Sequence, residues 1–178
     1  MDQAVRQCIV PVLAGGGTRL PAHVGALQAI GELGYSYQHI VGVSGGGIIA
    51  ALAAAGTDCE AMKTLFLDVD FSVFLGHSLV NLLLRGGLSS GAKFERWMDE
   101  QLQGKRFADL ETHLSIVATD VRSSQPVVFS RDTTPNLRVA QAVLYSISIP
   151  LLFPFHHYGE QVLVDGSILS EDLSLIHI

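Results

Sequence analysis

The sequence predicts an α/β fold, a mostly parallel central sheet with helices on both faces. Three observations carry that expectation. Short apolar runs alternate with helical periods through the first third of the chain: "CIVPVLA", "AHVGALQAIGELG", "HIVGV", then "GGGIIAALAAAG". Such alternation is the signature of parallel strands joined by right-handed helical crossovers. The stretch from Gly45 to Gly56 is apolar on every side, as a helix buried against a sheet must be. Finally, 178 residues with 48% hydrophobic and 16% charged side chains suit one domain with a substantial core.

Each element has its own local justification. Cys8 to Ala14 is rich in β-branched residues and is followed by glycine, the pattern of a strand covered on both faces. Val24, Leu27, Ile30 and Leu33 recur at three-residue steps and stop at Gly34, a helix with a glycine after its last turn. His39 to Val43 reads as a second strand and Gly45 to Gly56 as the buried helix. Ser90 to Gly104 puts Phe94, Trp97, Met98 and Leu102 on one face and charges on the other. "LSIVATDV" and "QPVVFSR" follow as strands, "LRVAQAVLYSI" as a helix, and "EQVLVDG" as a last strand. No repeat or low-complexity linker divides the chain, so residues 1–178 form a single domain.

Composition removes several function classes. A net charge of -6 without a Lys/Arg stripe argues against nucleic acid as a partner. Cys8 and Cys59 stand in no metal-ligand spacing, so neither a zinc site nor a disulfide framework is expected, and a reducing, cytoplasmic setting fits best. No cofactor motif is complete. The first glycine run lacks the last glycine of G-x-G-x-x-G, because Leu20 stands there, and lacks the G-K-[ST] of a P-loop. Phe71 to Leu88 is apolar but broken by Gly76, His77 and Asn81, short of a transmembrane segment. Two readings of it stay open, a helix of the core or a cap and membrane-docking patch. The N-terminal run reads as strand and loop and not as a secretion signal.

Chemistry concentrates in "GVSGG". In G-x-S-x-G a serine sits on a sharp turn between strand and helix, and Gly42, Ser44 and Gly46 match with strand and helix in the right places. Ser44 is then at the positive end of a helix dipole. "GGGTRL", from Gly15 to Leu20, also follows a strand and precedes a helix, so its backbone N–H groups can converge on a phosphate or an oxyanion. Asp165 ends the last strand in "VLVDGS" and projects from the same sheet edge as Ser44. His156 and His157 carry nothing beyond residue type to suggest a base. A Ser, acid, His order would have to use Asp165 and His177.

With "GGGTRL", "GVSGG", "SISIPLLFP" (Ser146 to Pro154) and "DGS" (Asp165 to Ser167) in this order, the chain resembles the patatin-like phospholipases over nearly its whole length. The resemblance implies a patatin-like fold, C-terminally incomplete here, and a serine-aspartate dyad with Ser44 as nucleophile and Asp165 as base. It implies an oxyanion site from Gly15, Gly16, Gly17, Thr18 and Arg19, completed by Gly45, with no metal and no cofactor. The substrate implied is a lipid ester at a membrane surface, cleaved by a phospholipase A, lysophospholipase or esterase type of hydrolase peripheral to the membrane. A non-catalytic lipid-binding or regulatory module of the same fold is the alternative. A carboxylate with an ordinary pKa of about 3.9 is a weak base at neutral pH, so preorganised oxyanion donors must carry much of the rate. The chain departs from the pattern at Leu20 and at Ser167, where glycine, or glycine or alanine, is usual.

Overall fold

The structure, a computed structural model, describes residues 7–74 and 87–168. Strands β1 (Val12–Leu13), β2 (His39–Val43) and β3 (His113–Asp120) run parallel, and β4 (Gln125–Phe129) returns antiparallel to β3. β5 (His156–Tyr158) and β6 (Gln161–Val164) form a hairpin, with β6 antiparallel to β3. β1, β2, β3 and β5 therefore share one direction, giving a mixed sheet whose strands are mostly parallel.

The register on β3 matters most for the site. Ile116 and Val117 pair with β2 and with β4, so these two strands occupy opposite edges of β3. Thr119 and Asp120 pair with β4 and with β6, which puts β6 on the edge that β2 occupies further down. β2 stops at Val43 opposite Val117, and β6, running the other way, stops at Val164 opposite Thr119. Two strand ends thus meet nearly head-on beside Ala118. The next residues are Ser44 and Asp165.

Helices pack around this sheet. α1 (Leu20–Glu32), α2 (Gly45–Ala54), α3 (Cys59–Asp68), α4 (Ala92–Gln101) and α5 (Val139–Ser146) are the α-helices among the described residues. α2 lies on β1, β2 and β3, and α5 on β3 and β6; α1 and α3 pack against α2 and each other, and α4 against α5. Leu13, Ile40, Ile116, Phe129 and Leu163 point from the sheet into the core that these helices fill. Val41, Val43 and Val117 form a smaller cluster on the opposite face. Nine of the ten residues of α2 are buried, as its all-round apolar sequence requires.

Most expected elements appear with ends moved by a few residues. The first strand is shorter than the run from Cys8 to Ala14, for Pro11 has no N–H to give a ladder and contributes only its carbonyl, to Val41. α3 was not anticipated. Asp58 caps it, accepting from the Ala61 N–H at 2.7 Å, but only Met62 is buried, so its apolar stripe is faint. β5 also escaped, being three residues long with two histidines. Of the Phe71–Leu88 segment, Phe71 and Phe74 stack with Phe94 and Trp97 at the edge of the core. Residues 75–86, with Leu82 and Leu83, lie outside the described residues, as does His177.

Candidate active site

Ser44 takes the turn between β2 and α2 with φ 52° and ψ -133°. A positive φ in a non-glycine residue costs on the order of 1–3 kcal/mol and persists only where the surroundings impose it. Here the flanking glycines do so by close approach. A Cβ on Gly46 would overlap the carbonyl oxygens of Leu13 and Ala14, and one on Gly42 would come 2.5 Å from the Cα of Gly47. The elbow is therefore pressed between the end of β1 and the first turn of α2. Gly47 supplies its backbone Cα and nitrogen to this contact; a side chain of its own would be in ordinary van der Waals contact, 3.4 Å from Ile116 Cδ1.

The backbone N–H of Ser44 donates to Ser146 Oγ at 2.8 Å, and that hydroxyl donates to the Val117 carbonyl at 2.6 Å. The Ser44 hydroxyl does not cap α2. It donates instead to Asp165 Oδ2 at 2.6 Å, with Ser44 8% and Asp165 1% exposed. A contact this short between a hydroxyl and a carboxylate is a charge-assisted hydrogen bond.

Asp165 is fixed from the backbone outward. Its N–H donates to the Ser148 carbonyl at 2.9 Å, and the Gly166 N–H to the Ser146 carbonyl at 3.1 Å. Its second oxygen, Oδ1, accepts from the Ser167 N–H at 2.8 Å and the Ser167 hydroxyl at 2.5 Å. The C-terminus of α5 thereby holds both halves of the pair. Nothing in the sequence reading singled out Ser146, although two small hydroxyl residues where a helix runs out, in "SIS", are the signal that could have done so.

The first glycine run lies alongside. A Cβ on Gly15 would be 3.4 Å from Ser44 Cβ, and the Gly16 nitrogen is 3.8 Å from where one on Gly45 would be. Gly17–Arg19 form a 3-10 turn containing Thr18, with Gly17 at φ +51°. Within it the Arg19 N–H is committed to the Gly16 carbonyl at 2.9 Å, so only the exposed Arg19 side chain is available to a ligand. Leu20 is buried and its Cδ2 covers Gly45, while His23 Nε2 donates to the Ala14 carbonyl at 3.0 Å and ties the loop to α1. The departure at Leu20 is thus a packing contact between the two glycine motifs.

Among the described residues no histidine hydrogen-bonds Ser44 or Asp165. His156 is mostly buried beside Tyr145, and burial, then the neighbouring His157, lowers its pKa to about 4. His39 and His113 stack at the opposite end of β2 and β3, His39 bonded to Ser115 and His113 close to Asp132. Cys8 and Cys59 are both free. No cluster able to hold a metal and no helix long and apolar enough to cross a membrane occur among the described residues.

A serine on a strained strand-to-helix turn, its hydroxyl on a buried carboxylate and a glycine loop at its side, is the arrangement this α/β fold brings together. The family model described as Patatin-like phospholipase matches residues 12–172, and the chain belongs to that family. It is 31% identical to the uncharacterized protein YqhO of Bacillus subtilis, over 89% of this chain and 63% of that one. It is 29% identical to the triacylglycerol lipase ptl3 of Schizosaccharomyces pombe, over 80% of this chain and 33% of that one. VipD from Legionella pneumophila has the same fold, with a TM-score of 0.72 over 93% of this chain and 46% of VipD at 19% identity. The chain therefore spans about two thirds of YqhO or less than half of the others.

Proposed function

We propose that this chain carries the catalytic machinery of a lipid acyl hydrolase, of phospholipase A, lysophospholipase or esterase type. The observation that carries the reading is the hydrogen bond from Ser44 Oγ to Asp165 Oδ2, 2.6 Å long. Ser44 Oγ attacks the ester carbonyl carbon as its proton passes to Asp165 Oδ2. The carbonyl oxygen becomes an oxyanion, met by N–H groups of the Gly15–Thr18 loop and by that of Gly45 at the positive end of α2. Collapse breaks the bond to the alcohol, whose oxygen takes the proton back from Asp165. Water then attacks the acyl-serine, giving its proton to Asp165, and as the fatty acid leaves Ser44 Oγ takes that proton back, restoring both residues.

Two further observations support a lipid ester. Ile149 follows the serine whose carbonyl holds Asp165, and the Ile168 N–H donates to the Asp165 carbonyl; both side chains are 45% exposed. Apolar side chains flanking a buried pair suit an acyl chain taken from a lipid surface, and the exposed Arg19 supplies a positive charge for an anionic head group. A relative carries the name triacylglycerol lipase, the same ester chemistry.

Hydrolysis of a short p-nitrophenyl ester and labelling by a fluorophosphonate test the reading together. Ser44→Ala is expected to lose both, and Asp165→Asn at least about 10²-fold of the rate, with each His→Ala variant active. Full activity in Ser44→Ala overturns it. A folded wild-type chain that neither labels nor hydrolyses is a lipid-binding module of the same fold.

A further inference from the structure

Asp165 lies between two serine hydroxyls. Oδ2 accepts from Ser44 Oγ at 2.6 Å, and Oδ1 accepts from Ser167 Oγ at 2.5 Å and from the Ser167 N–H at 2.8 Å. The torsion that turns a carboxylate about its last bond is broad, so burial alone does not fix the plane of the Asp165 carboxylate. Two donors from one residue, in a fork on one oxygen, hold that plane with the other oxygen toward Ser44. Ser167 Oγ also borders the space beside Gly15. It lies 3.6 Å from where a Cβ there would stand, the distance at which Ser44 Oγ lies too. Neither glycine nor alanine at position 167 could supply the second donor.

We propose that Ser167 is the positioning residue of the dyad, its hydroxyl holding Asp165 Oδ1 so that Oδ2 is presented to Ser44. This rests on Ser44 and Asp165 acting as proposed above. The Ser167 proton stays on Ser167 Oγ throughout, and the proton that moves is that of Ser44, to Oδ2 and back.

The experiment compares wild type, Ser167→Ala, Ser167→Gly and Ser167→Thr in the full chain, with kcat and KM measured on a short p-nitrophenyl ester. Thermal unfolding and fluorophosphonate labelling of Ser44 are followed alongside. In Ala and Gly kcat is expected to fall about 10-fold, with KM little changed. Thr, which keeps the hydroxyl, restores kcat. A wild-type kcat in Ala and Gly overturns the proposal, as does an equal loss of kcat in all three variants. Absence of Ser44 labelling in a folded wild-type chain instead overturns the dyad itself, so the two failures are distinct.

Discussion

The Ser44 N–H and the Ser146 hydroxyl are joined at 2.8 Å across 102 positions of sequence, and the same hydroxyl reaches the Val117 carbonyl at 2.6 Å. One buried oxygen thus links the elbow, the end of α5 and the central strand. It satisfies a donor freed where β2 gives way to α2, and it does so while that turn holds a positive φ.

Ser146→Ala leaves the Ser44 N–H and the Val117 carbonyl without this partner in a position 0% exposed to water. The expected loss is about 1–3 kcal/mol of stability, from the unpaired buried groups, and roughly 10-fold or more in kcat as the elbow relaxes. Urea unfolding and ester hydrolysis check both. A variant with unchanged midpoint and rate would show that the link does not hold the elbow.

Adjacent glycines of the elbow should respond in opposite ways. Gly46→Ala drives a Cβ into the backbone oxygens of Leu13 and Ala14, which cannot move without parting β1 from the elbow. A loss of more than about 3 kcal/mol and absence of fluorophosphonate labelling are expected. Gly47→Ala meets Ile116 Cδ1 at 3.4 Å and Ser146 Oγ at 3.7 Å, and helix propensity favours alanine by up to about 1 kcal/mol. That variant should fold with stability near wild type, which circular dichroism melts will show.

The contrast marks where sequence reading stops. The Gly-x-Ser-x-Gly spacing, the alternation of apolar run and helical period, and Asp-Gly at a strand end are local patterns; they point to Ser44 and Asp165, which the structure brings within 2.6 Å of each other, and to most elements. The glycine roles are not legible in the motif: the close helix-sheet contact needs Gly42 opposite the Gly47 backbone, and the unusual φ sits on Ser44. Ser146 has a partner set by tertiary register, 102 residues away, and Ser167 bonds Asp165, two residues before it, through a side-chain rotamer that sequence does not fix. The direction of β6 was equally hidden, since a four-residue strand reads the same whether it joins β3 parallel or antiparallel.

Leu20 joins the two glycine motifs, so Leu20→Ala probes their docking. Its side chain is 7% exposed and lies over Gly45. Truncation should cost about 2–4 kcal/mol as a buried leucine, and, on the proposed oxyanion role of the glycine loop, the rate of hydrolysis should fall beyond what unfolding explains as that loop loses its contact with Gly45. Rates measured well below the variant's melting temperature separate the two effects. An unchanged kcat under those conditions would show that the loop keeps its place without Leu20.

Acid stability should carry the mark of His156. Burial, then His157, lowers its pKa to about 4 from the ordinary 6.5, and its Nε2 is buried with no hydrogen-bond partner. The unfolded chain therefore binds a proton between those values that the folded chain refuses, and stability rises with pH across that window. The contribution is present in full above about pH 6.5, falls as pH drops, and is lost below about pH 4, amounting to on the order of 2–3 kcal/mol. Phenylalanine at this position keeps the packing on Tyr145 without a titrating group. His156→Phe should thus lose less stability than wild type between pH 7 and pH 4.5, by roughly 2 kcal/mol in urea midpoint titrations. His39, held down by burial and by His113, adds to the acid sensitivity of both proteins alike, so the difference between them isolates His156. Parallel slopes for the two proteins across this range would mean that His156 is protonated in the folded chain as readily as in the unfolded one.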